Sequence, residues 1–357
     1  MPILLIFLLV FLAAFGVALL TTPVAHRLSL RFGIFARPGG RRRHPGLIPK
    51  LGGIPVFAAF LIGAALAWWL LPPVPPDANP DDARLLRGVL WGSIVMFAGG
   101  LLDDRLELPP RALFLIQFLA VAVAVGHQVF IQQFTVPFVG PFALNWETDV
   151  VQALVMFLLT SLWIVGMVNT VNFLDGLDGL AVGVGTIAAL LFAWHGHRLG
   201  QTTIAAFPLA LAGALLGFLP FNFAPARIFL GSAGAYLLGY GLATMSILSP
   251  AKIATALLVL AVPIMDVAWQ IFDRLRRGKS PFRGDRGHLH FRLSDFGLPT
   301  REIVIGYYLV ATIFGLVAIF AANPVTKLIM LIVLSVLVLG AMAWLSRRAH
   351  REARSGS

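Results

Sequence analysis

Amide and carboxylate side chains recur every three residues in one stretch of this chain: Asn169, Asn172, Asp175 and Asp178, in the pattern Asn-x-x-Asn-x-x-Asp-Gly-x-Asp-Gly. On a regular α-helix each step of three turns the direction by about −60°, so the set sweeps roughly half the circumference. They share one face only where the helix breaks or tightens, and Gly176 and Gly179 supply places for that break. Asp175 and Asp178 then form an i, i+3 pair able to converge on one centre. Helix capping explains one such residue and hardly the whole set.

Three more clusters carry chemistry. Asp103-Asp104 directly follows the apolar stretch Ile94–Leu102. Adjacent carboxylates repel, and a divalent metal is their natural partner; the rival reading is a solvated acidic pair that ends a helix. The segment Ser280-Pro-Phe-Arg283-Gly-Asp285-Arg286-Gly-His288-Leu-His290-Phe-Arg292 sets two histidines at i, i+2 among arginines. Those histidines point the same way only in extended backbone, and Arg forks match phosphate oxygens, so the segment reads as a loop that cradles an anion. A polybasic loop resting on anionic headgroups is the alternative. The loop His44-Pro-Gly-Leu-Ile-Pro49-Lys50-Leu-Gly52-Gly53, preceded by Arg41–Arg43, is suited to a pyrophosphate or a lipid phosphate, or merely sets topology. Asp266, after Pro263 inside an apolar run, is a further point of interest, with a structural pairing to an Arg as its alternative.

The elements that position these residues are apolar. Of 357 residues 59% are hydrophobic and 12% charged, against roughly 25% charged in soluble domains. We expect an all-α polytopic membrane protein with eleven spans, near 3–22, 51–71, 86–102, 112–130, 150–168, 180–194, 203–219, 234–248, 253–272, 303–322 and 326–345. Threaded alternately, they put 22 Lys and Arg on one side and 5 on the other. The positive-inside rule then sets the N-terminus outside and the C-terminus in the cytoplasm. The net charge of +11 is accounted for by those loops, and nucleic acid is not expected as a partner. Nearly all the unusual polar residues fall on the cationic side, where membrane-edge carboxylates are functional candidates. A small hairpin is expected in 132–149, and Pro2–Leu20 reads as a retained span. The absence of cysteine excludes disulfides, thiolate catalysis and Cys-based metal sites. One transmembrane domain covers 1–346 and a basic tail covers 347–357.

At these residues the chain resembles the polyprenyl-phosphate N-acetylhexosamine-1-phosphate transferases (glycosyltransferase family 4), and the WecA-like branch more than the MraY-like one. The likeness rests on the His44–Gly53 loop, Asp103-Asp104, the run Asn169–Gly179, Pro263-x-x-Asp266 and His288-x-His290, in that order. It implies a cytoplasm-facing cleft in the inner (plasma) membrane, Mg²⁺ (or Mn²⁺) as cofactor, a UDP-N-acetylhexosamine donor and a polyprenyl phosphate acceptor. A homodimer is left open. Asp103, Asp104, Asn172, Asp175 and Asp178 would serve the metal, and the four acids with His288 and His290 would form the catalytic set. His44, Lys50, Asn169, Asn172, Arg283, Arg286 and Arg292 would bind substrate. Replacing Asp104 or Asp178 by Asn is expected to stop turnover without unfolding the protein. Two positions depart from the pattern. Ser232, in Phe229-Leu-Gly231-Ser232-Ala-Gly234, stands where the family has a metal-binding Asp, and Phe291 stands where a further His is common. Ser is a far poorer Mg²⁺ ligand, which makes a catalytically weakened or purely binding relative the alternative. A transporter would place its polar groups near mid-membrane, and the Asp-Gly-x-x-Ala-Arg signature of CDP-alcohol phosphotransferases is absent.

Overall fold

The apolar runs form helices because a backbone in hydrocarbon has only its own carbonyls to satisfy its N–H groups. The computed structural model describes residues 1–36, 46–71, 82–136, 138–248, 250–278, 287–321 and 323–355. In chain order the elements begin with α1 (Ile3–Phe32), β1 (Phe35–Ala36), β2 (Ile48–Pro49), α2 (Gly53–Leu70), α3 (Asp82–Leu106) and α4 (Pro110–Gly126). Next come β3 (Gln133–Val136), β4 (Gly140–Ala143), α5 (Val150–Leu174), α6 (Leu180–Arg198), α7 (Thr202–Asn222) and α8 (Gly231–Ile247). The last are α9 (Pro250–Val259), α10 (Ala261–Arg276), α11 (Leu289–Asp295), α12 (Thr300–Phe320) and α13 (Pro324–Ser355).

Every expected span overlaps a helix, but the helices are not equally fit to cross a membrane. Among the described residues eight are long and apolar enough: α1, α2, α3, α5, α6, α7, α12 and α13. The expected ninth span is two helices, α9 and α10, bent by 76°, and makes one more if counted as a single crossing. α4 and α8 have 17 residues each, about 26 Å at 1.5 Å per residue, short of the ~30 Å hydrocarbon layer. α8 is buried along nearly its whole length, so its surroundings are protein rather than lipid. α13 runs past residue 346 to Ser355 without a break.

Close packing rests on small residues, as expected where lipid gives helices no hydrophobic reason to associate. Gly213 and Gly217, one turn apart on α7, lie against the backbone of α1. A Cβ on Gly213 would sit 2.5 Å from the Phe11 carbonyl oxygen, and one on Gly217 would strike that of Phe15. The hairpin expected in 132–149 is present, with β3 and β4 antiparallel and Phe134 opposite Phe142. Helices α1, α3, α5 and α7 end, and α2, α4, α6 and α8 begin, at one end of the bundle. The site is built there.

Candidate active site

Asp103 and Asp104 occupy the last turn of α3. Asp104 is buried; its Oδ1 accepts from the Ser232 N–H at 2.8 Å and its Oδ2 from the Ala233 N–H at 3.0 Å. Both amides belong to the first turn of α8, which has no side-chain cap of its own. A carboxylate from another helix therefore satisfies these donors and meets the positive end of the α8 dipole. Lys50 Nζ lies 3.5 Å from Asp104 Oδ1, with both side chains out of solvent. Lys50, expected to bind substrate, and Asp104, expected to bind metal, are thus committed to each other and to α8.

Asp103 is placed differently. Its Oδ1 accepts from the Leu108 N–H at 2.9 Å and its Oδ2 from the Ser232 hydroxyl at 2.5 Å. Ser232, the departure from the family pattern, therefore touches the acidic pair through both its backbone and its side chain.

The run from Asn169 to Gly179 breaks where its glycines allow. α5 ends at Leu174, Asp175 caps it, and α6 begins at Leu180 after Gly179 with a positive φ of 82°. Asn172 is half-buried in the last turn of α5. Asn169, one turn earlier, donates to Gln117 Oε1 on α4 at 2.9 Å and to the Val165 carbonyl at 2.8 Å, so it ties α5 to α4. Asp178 Oδ2 accepts from the Ala226 N–H at 2.8 Å.

The linker between α7 and α8, residues 223–230, is the hub of this end. It takes Asp178 at Ala226, and buried Asn222 beside it accepts from the Gly179 N–H at 3.2 Å and donates to the Ile228 carbonyl at 3.0 Å. Arg301 Nε donates to the Ala224 carbonyl at 2.8 Å. The Phe229 N–H donates to the Pro49 carbonyl at 2.8 Å, and the Gly52 N–H to the Phe229 carbonyl at 3.0 Å. The 103–104 and 175–178 acids thus flank one short linker, at the same end of the bundle.

The histidines join from the other side. His288 adopts extended backbone as the N-cap of α11, while His290 lies in its first turn, so the expected loop is a short helix here. Their rings still stack, 5.7 Å apart at an interplanar angle of 12°. His288 also stacks on Phe173 of α5 at 5.1 Å. His290 lies over Gly176, where a Cβ would meet its Nε2 at 2.6 Å. Among the described residues Asp266 pairs with this histidine: its Oδ2 is 3.0 Å from His288 Nδ1, and its Oδ1 accepts from the Leu289 N–H at 2.9 Å. Arg292 Nε donates to the Gly287 carbonyl at 2.6 Å. His44, Arg283 and Arg286 lie outside the described residues.

Sequence reasoning missed Asn222, Gln117 and Gln270, a buried residue of α10 whose amide donates to the Gly287 carbonyl. Their signal was a lone amide within or at the end of an apolar run, a costly placement that demands a partner.

Among the described residues no three His, Asp or Glu side chains gather closely enough to hold a metal ion alone. Mg²⁺ ordinarily takes one or two protein carboxylates and completes its octahedron with water and phosphate oxygens. Asp103, Asp175 and Asp178 offer hard oxygen donors of that kind, and the site fits the ion in donor chemistry. Asp104 carries the same donors, each of its oxygens already accepting a backbone amide of α8, with Lys50 beside it.

The profile of glycosyl transferase family 4 matches residues 86–250. A "probable undecaprenyl-phosphate N-acetylglucosaminyl 1-phosphate transferase" of Bacillus subtilis (strain 168) is 31% identical over 91% of this chain and 88% of its own length. The "decaprenyl-phosphate N-acetylglucosaminephosphotransferase" of Mycobacterium tuberculosis (strain ATCC 25618 / H37Rv) is 33% identical over 89% of this chain and 82% of its own. The "undecaprenyl-phosphate alpha-N-acetylglucosaminyl 1-phosphate transferase" of Escherichia coli (strain K12) is 28% identical over 92% and 88%.

Proposed function

The chain belongs to glycosyl transferase family 4, and on that premise we propose that it transfers N-acetylglucosamine 1-phosphate from UDP-N-acetylglucosamine to a polyprenyl phosphate, releasing UMP. One observation carries the reading: both acidic pairs lie beside the α7–α8 linker, and the stacked histidines cover Phe173 and Gly176 between them, at one end of an apolar helical bundle. A water-soluble nucleotide sugar and a lipid-borne phosphate can meet only at such a membrane edge. The activities in the relatives' names require the same meeting.

The cation asymmetry of the loops supports an N-terminus outside, eleven crossings with α4, α8 and the bent α9–α10 pair included, and a site on the cytoplasmic face of the inner membrane. The protein would then act at the start of cell-envelope glycan synthesis, as one transmembrane domain.

A phosphate monoester has a second pKa near ~6, so the lipid phosphate is largely dianionic at neutral pH and needs little help from a general base. The protein's task is to bring two anions together and to stabilise the charge that develops as UMP leaves. Asp103, Asp175 and Asp178 would hold Mg²⁺, which when bound supplies charge neutralisation at the pyrophosphate. His288, His290, Arg283 and Arg286 would bind the donor's phosphates, with Asn172 beside them. Lys50 and Asp104 keep the first turn of α8, and with it Ser232, in register with Asp103.

The test is UMP release from UDP-GlcNAc, UDP-GalNAc and related donors with polyprenyl phosphate, with and without Mg²⁺. We expect Mg²⁺-dependent release with UDP-GlcNAc. Asp178→Asn should lower turnover by roughly 10²-fold or more, the scale for losing a group that stabilises transition-state charge. Its thermal midpoint should stay near that of the parent, because Asn retains an acceptor for the Ala226 amide. A folded protein that releases no UMP from any donor would overturn the reading in favour of a binding relative.

A further inference from the structure

α10 buries three long polar side chains on one stripe. Asp266, Gln270 and Arg274 stand at i, i+4 and i+8, and all are buried. Two of them grip consecutive residues of the segment that enters α11. Gln270 donates to the Gly287 carbonyl. Asp266 takes the Leu289 N–H on one oxygen and faces His288 Nδ1 with the other. A carboxylate only accepts, so Nδ1 carries the proton in that contact. Arg292 reaches back to the same Gly287 carbonyl and closes the segment on itself. Phe173 and His290 hold the two ring contacts of His288.

After those commitments one polar atom of the His288 ring remains. His288 Nε2 is buried and, among the described residues, has no hydrogen-bond partner. A buried ring nitrogen without a partner costs free energy, and the protein has built three separate contacts that keep this one where it is. We propose that Asp266 and Gln270 are positioning residues that fix His288 so that Nε2, and not Nδ1, is the nitrogen presented to the donor nucleotide sugar. The hydrogen bond at one ring nitrogen decides what the other can do. The proposal rests on the transferase reading above.

Asp266→Asn tests it, because both contacts of Asp266 need an acceptor and Asn offers one oxygen. The expected result is a kcat lower by about 10–100-fold, the scale on which partners that orient a functional histidine act. KM for the polyprenyl phosphate should not change. The ring ¹⁵N signals of His288, identified by their loss in His288→Asn, should leave the pattern of a ring protonated at Nδ1. A parental kcat in a folded Asp266→Asn protein, or a reduced kcat with the parental ring pattern, overturns the proposal.

Gln270→Met keeps the volume and the Asp266 contact but loses the hold on Gly287. It should lower kcat by several-fold, less than Asp266→Asn, and leave the ring pattern intact. Should Asp266→Asn fail to fold, this variant decides, and a parental kcat in it overturns the proposal. If the parent itself releases no UMP, the transferase reading fails, whereas the parental ring pattern still decides whether Asp266 sets the His288 tautomer.

Discussion

Two buried acids do the same mechanical job at two helix starts, and their partners differ. Asp104 takes the Ser232 and Ala233 amides of α8 and lies beside Lys50. Asp266 takes the Leu289 amide of α11 and lies beside His288. In the first pair both carboxylate oxygens accept α8 amides and the ammonium is enclosed. In the second the imidazole has a second nitrogen, and that nitrogen is not used. The first, closed pair holds the start of α8; the second, open pair holds the start of α11 and leaves a ring nitrogen to spare. Burial does not separate them. The chemistry of the basic partner does.

The largest effect should come from breaking the closed pair. Asp104→Asn leaves the Lys50 ammonium buried without its counter-charge, and removing one member of a buried ion pair costs about 3–5 kcal/mol. We therefore expect a sharply lowered thermal midpoint and poor recovery from the membrane. From the sequence alone the same substitution is expected to silence turnover in an intact fold. Thermal unfolding in detergent separates the two, and a parental midpoint would return Asp104 to the metal.

Gly176→Ala should act less strongly and on the open pair's neighbour. An added Cβ would press on His290 Nε2 at 2.6 Å and on the Phe291 ring at 2.7 Å. Overpacking of this kind costs about 1–3 kcal/mol. The cost should appear mostly as a shift of α11, with turnover falling more than the midpoint. Equal losses in both would mean that the histidine segment is as rigid as the closed pair.

Much of this was legible in the sequence, and the reason lies in what each residue type must do. The apolar runs had to be helices, and a run of carboxamides and carboxylates with two glycines had to break; both came out at the expected residues. The hairpin at 133–143 announced itself through its Pro and Gly punctuation. Partnership was not legible. Asp104 stood out because it adjoins Asp103, but its hydrogen bonds to α8, which begins far along the chain, were not visible. Asp266 stood out after Pro263 with an Arg pairing as its alternative, and spacing did not show that a histidine 22 residues on lies beside it. Asn169 looked like part of the acidic run, but Gln117 on α4 claims it. Spacing reports which residues share a turn; it does not report which distant amide needs an acceptor. The bend between α9 and α10 was also hidden, since a continuous apolar pattern is the same on either side of a corner.

The mildest prediction concerns Ser232, which stands between the two acids of the first corner. Its hydroxyl gives Asp103 Oδ2 a hydrogen bond at 2.5 Å, so Ser232→Asp would place a second carboxylate against the first. The amides and dipole at the start of α8 favour an acidic side chain there, but two adjacent carboxylates repel unless a cation lies between them. The protein should then become metal-dependent in stability as well as in turnover. In chelator its midpoint should fall a little below that of the parent. With Mg²⁺ at ten times its dissociation constant about 1.4 kcal/mol should return, and half-maximal UMP release should need less Mg²⁺. Differential scanning measurements with and without Mg²⁺ would show this directly. A midpoint indifferent to the ion would mean that the cation lies away from residue 232, leaving this corner purely structural and the comparison with the Asp266–His288 corner sharper still.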